Sequence, residues 1–175
     1  PSAVPPTWSD ADIRASHRIL KDVATLPTTP QHAADPLNLF VVVEAGNHHV
    51  RVLDGDRFEE LANFQSHFAL HGGPKFSPDG RFVYFASRDG WVSVYDLHNL
   101  SMIAEVRAGL NTRNLAVSND GRWVPVATTC RAIWCCSMPA TCRWSSTSPP
   151  SARMARRHGS APYTPLRRAT ASWSR

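Results

Sequence analysis

The last part of this sequence lacks acidic side chains altogether. Residues 121–175 contain nine arginines and no aspartate, glutamate or lysine, whereas residues 1–120 contain ten basic and all fourteen acidic side chains. The net charge is −4 in the first part and +9 in the second, so the overall +5 arises from the second part alone. Because the basic excess is confined to this segment, it does not indicate a nucleic-acid-binding domain, and we expect no nucleic-acid partner.

Cysteine is absent before position 130, and the four cysteines that follow are spaced by five, one and six residues. Structural zinc sites use paired spacings such as C-x2-C with a second pair or histidines downstream, so a zinc site is not indicated. No apolar run is long enough to span a membrane. The first residue is proline, and no initiator methionine or signal peptide is visible. We therefore expect the sequence to be an internal fragment.

What the sequence does contain is a repeat. FSPDGRFVYFA at 76–86 returns as VSNDGRWVPVA at 117–127, an offset of 41 residues, and VRVLDG at 50–55 returns as VSVYDL at 92–97, an offset of 42. A period in the low forties, with Asp-Gly turns between short β-rich runs, is typical of the blades of a β-propeller. The pattern alone is equally compatible with a generic propeller that serves as a platform for protein partners.

The repeat predicts an all-β chain. One complete blade has strands near 74–77, 81–87, 91–96 and 102–107, and the alternation of their side chains predicts strands that are buried on one face. A partial blade precedes it at 38–64, and a third begins near 114.

A short helix is predicted ahead of the blades. Ser9, followed three residues later by Asp12, forms a capping-box pattern before Ile13. The predicted domains are therefore a helix with a connecting arm at 1–37, a partial propeller of about two blades at 38–126 and an unpatterned tail at 127–175.

The repeat stops after about Val126. An offset of 42 from Asp96 requires an aspartate near 138, but residues 133–138 read IWCCSM. The genetic code shows what a reading frame shifted by one base would encode. When each codon's last base is read with the first two bases of the next codon, Trp134 followed by cysteine must give valine. The full string NYLPGNLVLLDARDLSLV is allowed, and it places an aspartate at 138. A base lost near codon 126 or 127 explains the missing acids and the new cysteines together, so we expect 127–175 to be a frameshifted, disordered tail. The alternative is a genuine basic, disordered tail.

Four stretches together resemble the haem d1 propeller family. They are PPTWSDADIRASHRIL, ADPLNLFVVVEAGNHHVRVLDGD, FALHGGPKFSPDGRFVYFASRDGWVSVYDL and EVRAGLNTRNLAVSNDGRWV, and they cover about residues 5–126. The family comprises cytochrome cd1 nitrite reductase and its relatives in haem d1 biosynthesis. LHGGPKFSPDGR and AGLNTRNLAVS are most similar to the cytochrome-type dihydro-haem d1 dehydrogenases. The resemblance implies an eight-bladed propeller with haem d1 over its central axis, of which this chain holds about two blades.

The resemblance also implies site residues. His71 falls at the position of the axial ligand of the haem iron, a role that suits a neutral imidazole. Arg88 and Arg113 align with arginines that line the macrocycle, whose carboxylates need fixed cations. The alternatives are a polar loop residue for His71, a charge at a hairpin turn for Arg88 and an exposed strand end for Arg113.

Other residues depart from the family's pattern or carry no assigned role. The reductases have a further carboxylate-binding arginine at the position of Glu44, and this departure favours a biosynthetic relative over nitrite reduction. His48, His49 and His67 are expected to be exposed loop or edge-strand residues. The catalytic base cannot be identified.

The function implied by the resemblance is that of an oxidoreductase, which removes two electrons and two protons from dihydro-haem d1 and converts a propionate side chain to acrylate. The implied cofactors are haem d1, or dihydro-haem d1 as the substrate, and haem c in the complete protein, although no C-x-x-C-H attachment motif occurs here. The implied partners are cytochrome cd1 nitrite reductase or an electron-accepting cytochrome, and the implied location is the periplasm. With two intact blades at most, the chain itself is expected to be inactive. A fragment of nitrite reductase and a non-enzymatic interaction module remain the alternatives.

Overall fold

The computed structural model describes residues 7–128, 132–136 and 144–145. It contains one α-helix, α1 (Asp10–Ser16), two short 3-10 helices and twelve β-strands. The strands are β1 (Arg18–Ile19), β2 (Leu39–Glu44), β3 (His49–Asp54), β4 (Glu60–Gln65), β5 (Lys75–Phe76), β6 (Phe82–Ala86), β7 (Trp91–Asp96), β8 (Ser101–Arg107), β9 (Thr112–Leu115), β10 (Trp123–Thr128), β11 (Ala132–Cys136) and β12 (Trp144–Ser145). Within the described residues no helix has the length and apolar character needed to cross a membrane.

The strands form three antiparallel sheets in chain order, which we call blades 1, 2 and 3. Blade 1 has the order β2-β3-β4, blade 2 the order β1-β8-β7-β6-β5 and blade 3 the order β12-β11-β10-β9. Strands β5 to β8 of blade 2 begin and end within one residue of their predicted positions, whereas β1 was not predicted. β11 and β12 lie inside the range 127–175, which was predicted to be an unpatterned tail, and most of that range lies outside the described residues. The domain boundaries and the frameshift stay predictions.

The N-terminal segment covers the outer edge of blade 2. The capping box predicted for α1 is confirmed, because the Ser9 amide donates to the Asp12 carboxylate at 2.8 Å and the Asp12 amide donates to Ser9 Oγ at 3.3 Å. The helix buries Ile13 in the core. β1 then pairs with β8 and closes an edge that would otherwise expose unpaired backbone groups.

Blade 2 is buried on both faces, so the prediction that its strands are buried on one face was wrong. On one side Val83 and Phe85 pack with Val50 and Val52 of blade 1. On the other side a second cluster joins blade 2 to blade 3 and contains Tyr84, Val92, Val94, Ile103, Val106, Val124 and Val126. The reason is that each face of a central blade meets a neighbouring blade, which alternation within one strand cannot reveal.

The repeat extends to individual hydrogen bonds. In blade 2 the Ser77 hydroxyl accepts from the Phe82 amide at 2.9 Å, and in blade 3 the Ser118 hydroxyl accepts from the Trp123 amide at 2.9 Å. The glycine three residues after each serine has a φ of 74° or 68°, which is the left-handed conformation that favours glycine. The two blades therefore use the same turn chemistry.

A buried ion pair ties the connecting arm to blade 2. Arg81 donates to the Asp96 carboxylate from Nη2 at 2.7 Å and from Nε at 3.1 Å, and the Asp96 side chain is fully buried. Arg81 also donates to the Pro27 carbonyl at 3.1 Å. At the equivalent position in blade 3, Arg122 is exposed and pairs with Asp120 at 3.1 Å.

Candidate functional site

The three predicted site residues lie at the same end of the blades. His71 is in the connection from β4 to β5, Arg88 is in the turn between β6 and β7, and Arg113 is at the start of β9. In antiparallel sheets with sequential strands, alternate connections lie at the same end. The strand order therefore brings these side chains to one surface, even though they are far apart in the sequence.

His71 is held in place by two hydrogen bonds. Its amide donates to the Ala86 carbonyl at 2.7 Å, and its Nδ1 lies 2.9 Å from the Arg113 carbonyl oxygen. Since a carbonyl oxygen can only accept, this hydrogen bond places a proton on Nδ1, and in the neutral ring Nε2 is then the nitrogen that keeps its lone pair. The side chain is exposed. This is the tautomer in which a neutral imidazole can bind a metal through Nε2.

Arg88 and Arg113 contribute exposed cations at the same end of the blades as His71. The Arg88 amide donates to the Phe68 and Ala69 carbonyls at 3.2 and 3.0 Å, so the turn is fixed to the segment that precedes His71. Both arginines are exposed. Among the described residues, neither guanidinium group makes a hydrogen bond or an ion pair. They are thus available to bind carboxylates of a ligand.

Two glycines follow His71 in a conformation that other residues rarely adopt. Gly72 and Gly73 have φ values of 84° and 71°. A Cβ on Gly72 would lie 2.4 Å from Asn114 Oδ1, whereas a Cβ on Gly73 would have no heavy atom nearer than Lys75 Nζ at 3.8 Å. The backbone beside His71 is therefore accessible, as a flat ligand that lies against it requires.

A cavity of about 210 Å³ opens next to His71. Its other lining residues are mainly apolar: Val43, Leu70, Gly73, Pro74, Phe85 and Ala86. The volume is below the range of about 300–1,000 Å³ that is usual for small-molecule pockets. The described blades therefore do not by themselves enclose a ligand of that size.

The sequence did not single out Lys75, which belongs to the same surface. Its Nζ donates to the Gly72 carbonyl at 2.6 Å and to the Gly73 carbonyl at 3.3 Å. The signal in the sequence was the position of this lysine directly after the Gly-Gly-Pro turn, but a place in the predicted strand near 74–77 explained the residue equally well.

The three histidines expected to be exposed are each partly buried. His49 begins the central strand of blade 1. The ring of His48 contacts that of Phe68, with 5.1 Å between ring centroids. His67 forms a hydrogen bond with Glu105, with 2.8 Å from Nε2 to Oε1. Sequence reasoning missed this pair because its members are 38 positions apart and lie on different elements.

Glu44 is engaged within its own blade. It accepts a hydrogen bond from Asn47 at 2.8 Å and pairs with Arg51 at 2.7 Å, and these contacts lower the pKa of its carboxyl group. The negative charge of Glu44 is thus balanced by Arg51, and this position offers no positive charge to a ligand. In the part of the chain that the structure covers, no cluster of three or more His, Cys, Asp or Glu side chains could hold a metal ion. A single histidine fits a metal whose other ligands come from a macrocycle.

Comparison with known proteins agrees with this geometry. The model of the family described as Cytochrome D1 heme domain matches residues 34–130. Dihydro-heme d1 dehydrogenase of Pseudomonas aeruginosa is 72% identical over 121 residues, which are 69% of this chain and 24% of that protein. Nitrite reductase of Stutzerimonas stutzeri is 28% identical over 117 residues, which are 66% of this chain and 21% of that protein. The chain thus spans less than a quarter of the length of these relatives.

Solved structures show the same fold. The structure of dihydro-heme d1 dehydrogenase NirN in complex with DHE matches with a TM-score of 0.75 and 64% identity, over 77% of this chain and 30% of that one. The β-propeller domain of Cps50 (Swd1) from Myceliophteria thermophila matches with a TM-score of 0.55 at 12% identity, over 74% of this chain and 41% of that one, and shows the fold alone. The predicted partial propeller is therefore confirmed. Because the family model covers more than half of its residues, this chain belongs to the cytochrome d1 haem domain family.

Proposed function

We propose that this chain is part of a haem d1-binding propeller, and that the complete protein oxidises dihydro-haem d1 to haem d1. The observation that carries the proposal is the tautomer of His71. Its Nδ1 proton is bonded to the Arg113 carbonyl at 2.9 Å, which leaves Nε2 free to bind iron on a surface that also holds two unpaired arginines. The similarity to a dehydrogenase that acts on dihydro-haem d1 supports the choice of ligand.

Each residue has a distinct role in this proposal. His71 binds the iron, and Arg88 and Arg113 hold carboxylates of the macrocycle through charge-assisted hydrogen bonds. Gly72 and Gly73 let the backbone lie close to the macrocycle. The bound dihydro-haem d1 supplies the chemistry, since its propionate side chain loses two electrons and two protons to become acrylate.

The remaining parts of the reaction belong to the complete protein. We infer that haem c of that protein receives the electrons and passes them to a cytochrome, and that the location is the periplasm. No described residue is assigned as the catalytic base. Because three quarters of the relatives' length lies outside this chain, we expect the chain itself to bind weakly and to turn over no substrate.

Nitrite reduction is the second candidate, favoured by the similarity to the enzyme of Stutzerimonas stutzeri. Glu44 argues against it, because this carboxylate is paired with Arg51 and stands where the reductases are expected to have an arginine. A complete protein that reduces nitrite and leaves dihydro-haem d1 unchanged would reverse the preference.

The test is a titration of the chain with ferric haem d1, followed by visible absorption. Binding with a histidine-ligated spectrum is expected, and His71→Ala should remove the ligation bands. His98→Ala is the matched control, because this partly buried histidine also bonds a backbone carbonyl through Nδ1, that of Thr28 at 2.8 Å, but lies at the opposite end of blade 2. An unchanged spectrum for His71→Ala would refute the ligand assignment, and no uptake of haem d1 by the unmodified chain would favour an interaction module.

A further inference from the structure

A hydrogen bond between His67 and Glu105 joins the loop before His71 to β8 of blade 2. His67 Nε2 lies 2.8 Å from Glu105 Oε1, and the two side chains are only 24% and 16% exposed. The Ser93 hydroxyl donates to the same carboxylate oxygen at 3.2 Å. Hydrogen bonds to a charged group that is shielded from water contribute more than exposed ion pairs do.

An aromatic stack fixes the ring of His67. It lies against the indole of Trp91 with 4.5 Å between centroids and an angle of 3° between the planes. The guanidinium group of Arg18, on β1, lies 5.2 Å from the Trp91 ring centroid. The hydrogen bond from His67, with further help from Ser93 and the charge of Arg18, lowers the pKa of Glu105. Contacts from β7 and β8 thus converge on His67, and Arg18 of β1 contacts the same indole.

The loop itself, residues 66–71, contains backbone strain that needs an anchor. Ala69 has a φ of 49°, which is unfavourable for a residue other than glycine, and its amide donates to His48 Nδ1 at 3.3 Å. His67 lies at the beginning of this loop and His71 at its end. Without a fixed beginning, the strained segment could relax, and His71 would move with it.

We propose that His67 and Glu105 are positioning residues for His71: their pair holds the loop 66–71 so that the imidazole of His71 stays at the ligand surface. The inference rests on the proposed role of His71 as iron ligand. It adds that the position of the His71 imidazole depends on the contact between His67 and Glu105, at the periphery of the blade. Neither His67 nor Glu105 contacts the ligand surface through its own side chain in this arrangement.

The first test uses the ligand-free chain, so that it does not depend on haem binding. Amide hydrogen exchange is measured for His71 and Arg88, whose N–H groups bond to the Ala86 carbonyl and to the loop carbonyls. We expect His67→Leu to speed exchange at these amides about tenfold or more while the amides of β7 keep their protection. His67→Gln, which can still donate to Glu105, should restore most of the protection.

A matched control and a second measurement complete the design. Arg51→Gln removes a charged residue that pairs with Glu44 and Glu60 in blade 1, and it should leave exchange at His71 unchanged. With ferric haem d1, His67→Leu should weaken binding about tenfold and broaden the histidine-ligated spectrum, and Gln should again restore it.

The outcomes separate the two proposals. If His67→Leu leaves the His71 and Arg88 amides as protected as before, or speeds the amides of β7 equally, the positioning role is overturned. If exchange responds as expected but the unmodified chain takes up no haem d1, the loop anchor stands and the proposed function fails.

Discussion

The buried pair of Arg81 and Asp96 gives the sharpest prediction of stability, and Arg81→Gln is the perturbation. In the native chain Asp96 is fully buried and receives two hydrogen bonds from Arg81, at 2.7 and 3.1 Å. After the substitution the carboxylate keeps the bonds from the His98 amide at 2.9 Å and from Asn99 Nδ2 at 2.8 Å, but it loses its counter-charge. The contact with the Pro27 carbonyl is lost as well.

The expected loss in the free energy of unfolding follows from the Asp96 carboxylate, which stays buried after the substitution. Removing one partner of a buried ion pair usually costs about 3–5 kcal/mol, because the other charge stays buried without compensation. The remaining donors to Asp96 place the expected loss at the lower end, about 3 kcal/mol. That is a large part of the free energy of unfolding of a small domain, which is about 5–15 kcal/mol.

The assay is urea unfolding followed by tryptophan fluorescence, with Arg122→Gln as the matched control. Arg122 holds the same position in the next blade, but its pair with Asp120 is exposed, with side-chain exposures of 73% and 50%. The control should shift the midpoint little. If Arg81→Gln does not fold, Arg81→Lys, which keeps the charge and loses the paired geometry, should give an intermediate loss. Equal midpoints for Arg81→Gln and Arg122→Gln would refute the reasoning.

Three further predictions concern other parts of the chain. Gly72→Ala should lower stability by about 1 kcal/mol or more, measured by the same unfolding assay, because φ is 84° and the new Cβ would lie 2.4 Å from Asn114 Oδ1. The lowered pKa of Glu105 means that its stabilising effect is present above its ordinary pKa of 4.5 and is lost as the pH falls through the lowered value, so Glu105→Gln should flatten the acid side of a stability profile. Trypsin should cut first at the arginines beyond position 128, where the blade pattern of the sequence stops. Resistance there, with cleavage first inside the blades, would count against a frameshifted tail.

Local signals in the sequence predicted local structure well. The Ser9 and Asp12 pattern fixed the helix start because both partners lie within one turn. The strands of blade 2 followed from the repeat, since turn chemistry recurs at a fixed offset. The gathering of His71, Arg88 and Arg113 at one end of the blades follows from the strand order, but their role as ligands of haem d1 stays a prediction.

Contacts between distant elements could not be predicted in this way. Asp96 was visible only as a marker of the repeat, and its bond to Arg81 depends on the register between β6 and β7, which places Phe82 opposite Asp96. The short strand β1 has no alternation to find, because it exists only through pairing with β8. The His67 and Glu105 pair likewise requires the packing of a loop on a neighbouring sheet, which no periodicity encodes.

The bond between His71 and the Arg113 carbonyl ties the proposed ligand to the point where the sequence changes character. Arg113 lies on β9, which is paired within its sheet only to β10 among the described residues, and the pairs that flank Arg113 are Asn114 with Ala127 and Thr128 with Thr112. Ala127 is the last residue of the repeat, and Thr128 is the first residue after it. Backbone ladders are indifferent to side-chain identity, so this pairing survives the change in composition as long as the main chain stays extended. The tautomer of a histidine in one blade is thereby maintained by the main chain of the next, and the backbone pairing of Ala127 and Thr128 with β9 completes it.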